Sequence, residues 1–205
     1  RNSVTLDRFG SSPWNLESND VESLLEKIRE SGKPMIDYAG VKPLIGIMSG
    51  YNKAFLIDND ARNRIVAGDP KCSALLAPYL RGQDLSRWKA ESSKLWMIKM
   101  ASSNDQAWPW ADTTDEKAAE KILLNTYPLL HEHFKKLEIE LRGRFPENQG
   151  KFWWELRTCH YWRAFSDAKI IYPDITWRSN FCLDTEGVMV NSTIYFLPCS
   201  DLWIL

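Results

Sequence analysis

Two short apolar runs flank a polar turn in residues 44–57, which have the sequence LIGIMSGYNKAFLI. Apolar runs of this length, separated by a cluster that contains Gly and Asn, are typical of two strands joined by a hairpin. Residues 44–48 and 54–57 are therefore predicted to be strands, with residues 49–53 as the turn.

Helical patterns lie on both sides of this predicted hairpin. Residues 18–30 begin with Ser-Asn-Asp and then carry apolar side chains at i, i+3, i+4 and i+7. Short helices are predicted over 59–67 and 70–79, and the longest helical pattern runs from about 115 to 142 with a kink at Pro128. Further strands are predicted over residues 94–100, 169–172, 178–183, 188–190 and 194–197. This mixture predicts an α+β fold, in which a short twisted sheet with hairpins, mixed or antiparallel, is flanked by helices.

The chain has 205 residues, which is typical of one domain. Residues 1–17 have no clear periodicity and are predicted to be an N-terminal arm or linker, and residues 18–205 to be the domain. Because the chain begins at Arg1 and ends in the apolar run Leu-Trp-Ile-Leu, we interpret it as a piece of a longer protein whose last domain is truncated at its C-terminus.

Composition narrows the cellular setting. The net charge is −1, no apolar run reaches the length of a membrane span, and no signal-peptide pattern opens the chain. The four cysteines are scattered without a C-x-x-C pair, which suits a reducing cytoplasm better than a zinc site. A cytoplasmic protein without a membrane partner is therefore expected.

Charge and aromatic residues are distributed unevenly. Residues 135–178 contain nine Lys or Arg against six Asp or Glu, and residues 81–99 contain five against two. Several of the ten tryptophans lie within these basic tracts. The tracts could line a nucleic-acid groove, or the charges could be solvated while the rings fill the core. Trp153 and Trp154 are adjacent, so one of them is expected to face outward.

No convincing catalytic or metal-binding arrangement is present in the sequence. No two prolines are adjacent, which excludes the Asn-Pro-Pro-Tyr loop of amino-methyltransferases, and no Gly-rich nucleotide-binding loop occurs. His131 and His133 lie two residues apart on a predicted helix and would point to different sides. Catalytic residues, metals and cofactors are therefore not expected within this chain.

Six short motifs, taken together and in order, resemble the TaqI-like C-terminal specificity domain. This domain is the target-recognition region of type IIG restriction–modification enzymes and related adenine-specific DNA methyltransferases, including those of phage defence. The motifs are residues 44–57, Asp69-Pro-Lys-Cys-Ser73, Leu80-Arg-Gly-Gln-Asp-Leu-Ser-Arg-Trp88, Tyr127-Pro128 before a helix ending in Leu141-Arg-x-Arg144, Trp153-Trp-Glu-Leu-Arg157 and Ala168-Lys-Ile-Ile-Tyr-Pro173. Ser49 stands where Thr is usual, and Gln83 stands where Arg is usual.

The resemblance implies recognition of double-stranded DNA rather than chemistry. A methyltransferase domain upstream in the same polypeptide would bind S-adenosylmethionine and accept the flipped adenine, and any Mg²⁺ would also belong to the parent protein. This chain would choose the sequence and position the duplex. Two other interpretations remain open, namely a non-catalytic protein-interaction module and a Trp-rich carbohydrate-binding module.

Candidate contact residues follow from the resemblance and from side-chain chemistry. Polar side chains on loops can read base edges, and Lys or Arg can hold phosphates. The base-reading candidates are Ser49, Tyr51, Asn52, Arg178, Ser179 and Asn180. The phosphate-contact candidates are Lys53, Arg81, Arg87, Lys89 and Lys169. In the alternative interpretation Asn52 only caps its own turn, the cations only solvate the surface, and residues 178–180 form an ordinary strand edge.

Overall fold

The computed structural model describes residues 18–91 and 93–204, and the chain divides into two compact units, Arg1–Lys42 and Pro43–Leu205. The predicted arm over 1–17 lies outside the described residues. In the first unit, α1 spans Asn19–Ser31 and α2 spans Met35–Ala39. The Ser18 side chain accepts a hydrogen bond from the Val21 amide and so caps α1. The helix predicted over residues 18–30 is confirmed.

The predicted hairpin over residues 44–57 is wrong. Strand β1 (Leu44–Ile45) pairs with β10 (Ile194–Leu197), whereas β2 (Leu56–Asp58) pairs with β6 (Leu95–Ile98), so the two halves belong to different sheets. Between them lies α3 (Asn52–Phe55), a single helical turn. The Gly and Asn that suggested a hairpin turn therefore lead into a helix.

The first sheet has the order β1-β10-β7-β8, with β7 over Lys169–Pro173 and β8 over Cys182–Asp184. All of its pairings are antiparallel. Strand β10 lies between β1 and β7, and its side chains are buried except for the half-buried Tyr195.

The second sheet has the order β2-β6-β3-β9, with β3 over Leu76–Leu80 and β9 over Met189–Val190. Strands β3 and β9 are parallel and the other pairs are antiparallel, so this sheet is mixed. The helix predicted over 70–79 is wrong in its second half, because the 3₁₀ helix Pro70–Leu75 ends where β3 begins. Periodicity cannot separate a buried strand from a buried helix in such a short apolar run.

A small separate hairpin joins β4 (Leu85–Ser86) to β5 (Lys89–Ala90). Trp88, in its turn, has a φ of 65°, in the left-handed region, and its amide donates to the Phe181 carbonyl oxygen at 3.0 Å. This bond ties the hairpin to the segment that enters β8.

The longer helices of the second unit match the sequence pattern. Helix α4 spans Asn59–Gly68, and the predicted kinked segment near 115–142 consists of α5 (Glu116–Thr126), α6 (Pro128–Lys135) and α7 (Glu138–Arg142). Pro128 opens α6, where its missing amide hydrogen is not needed. The predicted α+β class, with helices flanking short sheets, is confirmed. Across residues 18–91 and 93–204, we find no helix with the length and apolar character that crossing a membrane requires.

The two histidines of α6 have separate structural partners. His131 Nε2 lies 3.0 Å from Glu120 Oε1 on α5, and His133 Nε2 donates to the Ala54 carbonyl oxygen at 2.8 Å. Burial lowers the pKa of His133. Each imidazole thus joins α6 to a neighbouring element.

Four tryptophan rings, those of Trp108, Trp110, Trp153 and Trp154, are buried in the core. Trp108 stacks on Trp110 with 5.1 Å between ring centroids, and Trp110 packs edge-on against Trp154. Trp153 and Trp154 are both buried, so the expectation that one faces outward is wrong. Their segment is neither helix nor strand, and the alternation rule on which the expectation rested does not apply to it.

Candidate nucleic-acid interface

The turn over Ser49–Asn52, called here the Asn52 turn, is held by its own side chains. The buried Ser49 Oγ donates to Asn52 Oδ1 at 2.6 Å, and Asn52 itself is exposed. An amide oxygen can accept two hydrogen bonds, so Asn52 keeps one acceptor site as well as its NH₂ donors. Ser49 is therefore a positioning residue, whereas Asn52 is accessible to a ligand. The half-buried Tyr51 precedes it at the start of α3.

The buried Arg144 side chain also holds the Asn52 turn in place. The Arg144 guanidinium donates to the carbonyl oxygens of Leu141, Ser49, Asn148, Trp153 and Glu155 at 2.7–3.1 Å. Burial lowers the pKa of Arg144 to about 10. Gly50 has a φ of +70°, and a Cβ there would lie 2.7 Å from Asn148 Cβ, so the turn requires glycine. Sequence reasoning placed Arg144 in a motif but gave it no role.

The Asn52 turn packs beside the β9–β10 connection, Asn191–Thr193, called here the bridging turn. Ile47 and Asn191 form an isolated parallel bridge, and a Cβ on Gly46 would lie 2.0 Å from the Asn191 carbonyl oxygen. A cavity of about 220 Å³ separates the two turns, and its polar lining comes from Ser49, Asn52, Asn191 and Ser192. The sequence prediction missed the bridging turn, although three polar residues between two apolar runs are a turn signal.

A second group of candidates meets at a cleft of about 650 Å³, called here the arginine cleft. It is lined by Leu85, Ser86, Arg87, Arg178, Ser179 and Asn180. Residues 178–180 belong to the loop between β7 and β8, not to a strand as predicted, because β8 begins only at Cys182. Within residues 18–91 and 93–204, neither Arg87 nor Arg178 has a carboxylate partner. The fold thus brings together two exposed arginines from distant parts of the sequence.

The bridging turn also contacts two segments that lead to the arginine cleft. The Asp174 amide, at the start of the β7–β8 loop, donates to the Thr193 carbonyl oxygen at 2.8 Å. Gly82, beside Arg81, packs against Thr193, whose Oγ1 would lie 3.2 Å from a Cβ at that position. The bridging turn therefore connects the Asn52 turn with the segments that carry Arg81 and Arg178.

Two of the candidate cations are already paired at the surface. Arg81 Nε and Nη2 donate to Asp84 Oδ2 and Oδ1, each at 3.0 Å. Lys89 Nζ lies 3.3 Å from Glu91 Oε1, with both side chains well exposed. Lys53 is exposed, and no ion pair involves it among the residues that the structure describes. Exposed pairs of this kind are weak, so Lys89 can exchange its carboxylate for a phosphate.

Lys169 does not belong to the interface. Its side chain is fully buried, donates to the Phe165 carbonyl oxygen at 2.6 Å and forms an ion pair with Asp184 on the neighbouring strand. Burial lowers the pKa of Lys169. The ammonium group cannot reach a phosphate in this conformation, and we remove it from the candidate contacts.

Comparison with known proteins supports a relation to restriction–modification methyltransferases. The chain is 23% identical over 197 residues to the type II methyltransferase M.PaeR7I of Pseudomonas aeruginosa, which is 96% of this chain and 30% of that protein. No protein-family model matches the chain. The chain is thus weakly related to a type II methyltransferase, and the narrower resemblance to the TaqI-like specificity domain stays a prediction.

The fold also has a counterpart among solved structures. The type IIL restriction–modification enzyme MmeI, solved in complex with DNA, matches with a TM-score of 0.50 and 11% sequence identity. The match covers 80% of this chain and 20% of the MmeI chain. The chain therefore spans less than a third of either similar protein, and at this identity the likeness to MmeI concerns the fold alone.

Proposed function

We propose that the chain binds double-stranded DNA and selects the target sequence for a restriction–modification adenine methyltransferase. Its recognition face consists of the Asn52 turn, the bridging turn and the arginine cleft. The observation that supports this most is the bridging turn: it lines a cavity together with the Asn52 turn, and Thr193 contacts the segments that lead to Arg87 and Arg178. Loops held by rigid sheets are the usual place for such contacts.

The chemistry of this face suits the two parts of DNA recognition. Lys53, Arg87 and Arg178 are exposed cations that can hold phosphates, and Asn52 and Asn180 carry amides that can pair with base edges. A compact domain of this length has a radius of gyration of about 17 Å, which suits about one turn of duplex. The proposed extent of the recognition domain is 18–205, as expected from the sequence.

The methyl transfer would take place on another domain of the parent protein. That domain would hold S-adenosylmethionine and receive the flipped adenine, and the present chain would contribute no catalytic residue. The carbohydrate-binding alternative is weakened because, among the described residues, four tryptophan rings are buried and two more are partly buried against the core, so only three rings are exposed for stacking on sugars.

Selection from a pool of randomised duplexes tests this function. We expect the wild-type chain to enrich a short motif, Asn52→Ala to relax one or two positions of it, and Arg178→Ala to weaken binding or change another position. Asn125→Ala and Arg163→Ala are matched controls, because both residues are exposed and lie outside the recognition face. The proposal would be contradicted if the wild-type chain enriched no motif. It would also be contradicted if Asn52→Ala and Arg178→Ala both enriched the wild-type motif with unchanged affinity.

A further inference from the structure

The loop between β7 and β8 is short and internally braced. Thr176 Oγ1 donates to the Arg178 carbonyl oxygen at 2.8 Å and accepts from the Arg178 amide and from Asn180 Nδ2, both at 3.3 Å. At its base the rings of Tyr172 and Phe181 pack with 5.1 Å between centroids. Hydrogen bonds within the loop therefore define the shape of its tip.

This braced loop exposes two large apolar side chains. Ile175 is 89% exposed and Trp177 is 102% exposed. Elsewhere in the second unit the paired tryptophans Trp110 and Trp154 are fully buried. A fully exposed indole on a preorganised loop leaves a large apolar area in water, and burying it on a ligand would be favourable. Tryptophan is enriched at binding surfaces, where its large ring can be buried on a ligand.

We propose that Trp177 stacks on an unstacked base of a DNA duplex whose backbone is held at the arginine cleft. This inference rests on the proposed function and adds the kind of contact that the loop makes. Arg178 follows Trp177 directly, and Arg87 lines the same cleft. The single acid of the loop, Asp174, lies at its base, where its amide is tied to Thr193.

The positive charge of Arg87 and Arg178 favours DNA over a hydrophobic protein surface as the ligand of the arginine cleft. A hydrophobic partner surface would bury Arg87 and Arg178 without a counter-charge, which is unfavourable. A duplex offers phosphates to the two arginines and a base stack to the ring at the same time. Ser179 and Asn180 line the same cleft, and their side chains can form further hydrogen bonds with the DNA.

The physical cost of this contact suggests its test. A side chain that inserts into a duplex must first unstack a base step. A duplex with one abasic site has already lost a base, so insertion there avoids most of that cost. A ring that inserts should therefore prefer the abasic duplex, and a ring that serves a protein partner should show no preference.

The experiment measures the affinity of the whole chain for two labelled duplexes by fluorescence anisotropy, one intact and one with a central abasic site. We expect the wild-type chain to bind the abasic duplex at least about 10-fold more tightly, Trp177→Ala to lose this preference, and Trp177→Phe to keep most of it. Trp203→Ala is the matched control, since Trp203 is 91% exposed on a different element and its loss should leave the preference intact.

Each outcome has one meaning. A wild-type chain that binds both duplexes equally, or a Trp177→Ala variant that keeps the preference, would overturn the stacking role while leaving DNA binding in place. A wild-type chain that binds neither duplex at low salt would instead overturn the proposed function, and the stacking role with it.

Discussion

Replacing Arg144 by Met should destabilise the chain strongly, because this side chain donates to five backbone carbonyl oxygens and four of these hydrogen bonds are buried. Arg144 is 6% exposed and donates to carbonyls from three segments of the chain. Methionine fills part of the space but donates nothing. Each buried acceptor left without a donor costs about 1–3 kcal/mol.

The expected loss is smaller than the sum over five bonds. Removing the guanidinium also removes the cost of burying its charge, which is the reason that its pKa is lowered to about 10. We therefore expect Arg144→Met to lower the free energy of unfolding by about 3–5 kcal/mol. A domain is stable by about 5–15 kcal/mol, so this loss would be a large fraction of the total stability. Lysine has three donors, and Arg144→Lys should lose about half as much.

Urea denaturation followed by tryptophan fluorescence measures these losses, since Trp153 and Trp154 are buried in the segment that Arg144 anchors. Arg87→Met is the control, because Arg87 is exposed and surface substitutions usually change stability by less than about 0.5 kcal/mol. A loss below about 1 kcal/mol for Arg144→Met would refute the reasoning, since it would mean that the carbonyls find other donors at little cost.

Three further predictions concern charge. Arg87→Ala should reduce the slope of log affinity against log salt for duplex DNA by about 1, and an unchanged slope in a salt titration would exclude a phosphate contact. Lys169→Met should lower the free energy of unfolding by about 3–5 kcal/mol, because Asp184 would stay buried without its cation; a thermal unfolding midpoint equal to that of the wild type would show otherwise. Burial lowers the pKa of His133, which donates to the Ala54 carbonyl, so its stabilising effect is complete above about pH 6.5 and is lost as the pH falls below that value. Urea midpoints between about pH 7.5 and pH 5 should therefore fall more for the wild type than for His133→Gln, and equal falls would contradict this assignment.

Local signals in the sequence were sufficient to predict the longer helices. Asp58 and Asp115 each accept a hydrogen bond from an amide of the first turn and cap α4 and α5, and Pro128 opens α6. These features depend on residues within one or two turns of each other. The sequence therefore predicts where these helices begin without knowledge of the rest of the fold.

Strand pairing and burial could not be predicted in the same way. Leu44 pairs with Phe196, at the other end of the chain, and not with the nearby apolar run that suggested a hairpin. Lysine is nearly always at the surface unless it is paired, and Lys169 is buried because the register of β7 and β8 places it opposite Asp184. Both facts depend on contacts between distant residues.

The candidate site was predicted in part for the same reason. Arg87 and Arg178 were separate candidates in the sequence, and only the fold shows that they line one cleft. Asn191–Thr193 was not recognised, because a polar turn between two strands has no feature that marks it as a connection between other loops. Its role follows from the bonds to Thr193 and the packing against Gly46.

Binding of a short labelled duplex to the wild-type chain, measured by anisotropy at about 50 and 200 mM salt, tests the central claim most directly. The slope expected for each phosphate contact predicts that affinity falls about 40-fold over this range if Lys53, Arg87 and Arg178 are engaged, and about 500-fold if Arg81 and Lys89 also contribute. A fall in this range supports DNA binding through these cations. No binding at about 50 mM salt, or binding that does not change with salt, would contradict it.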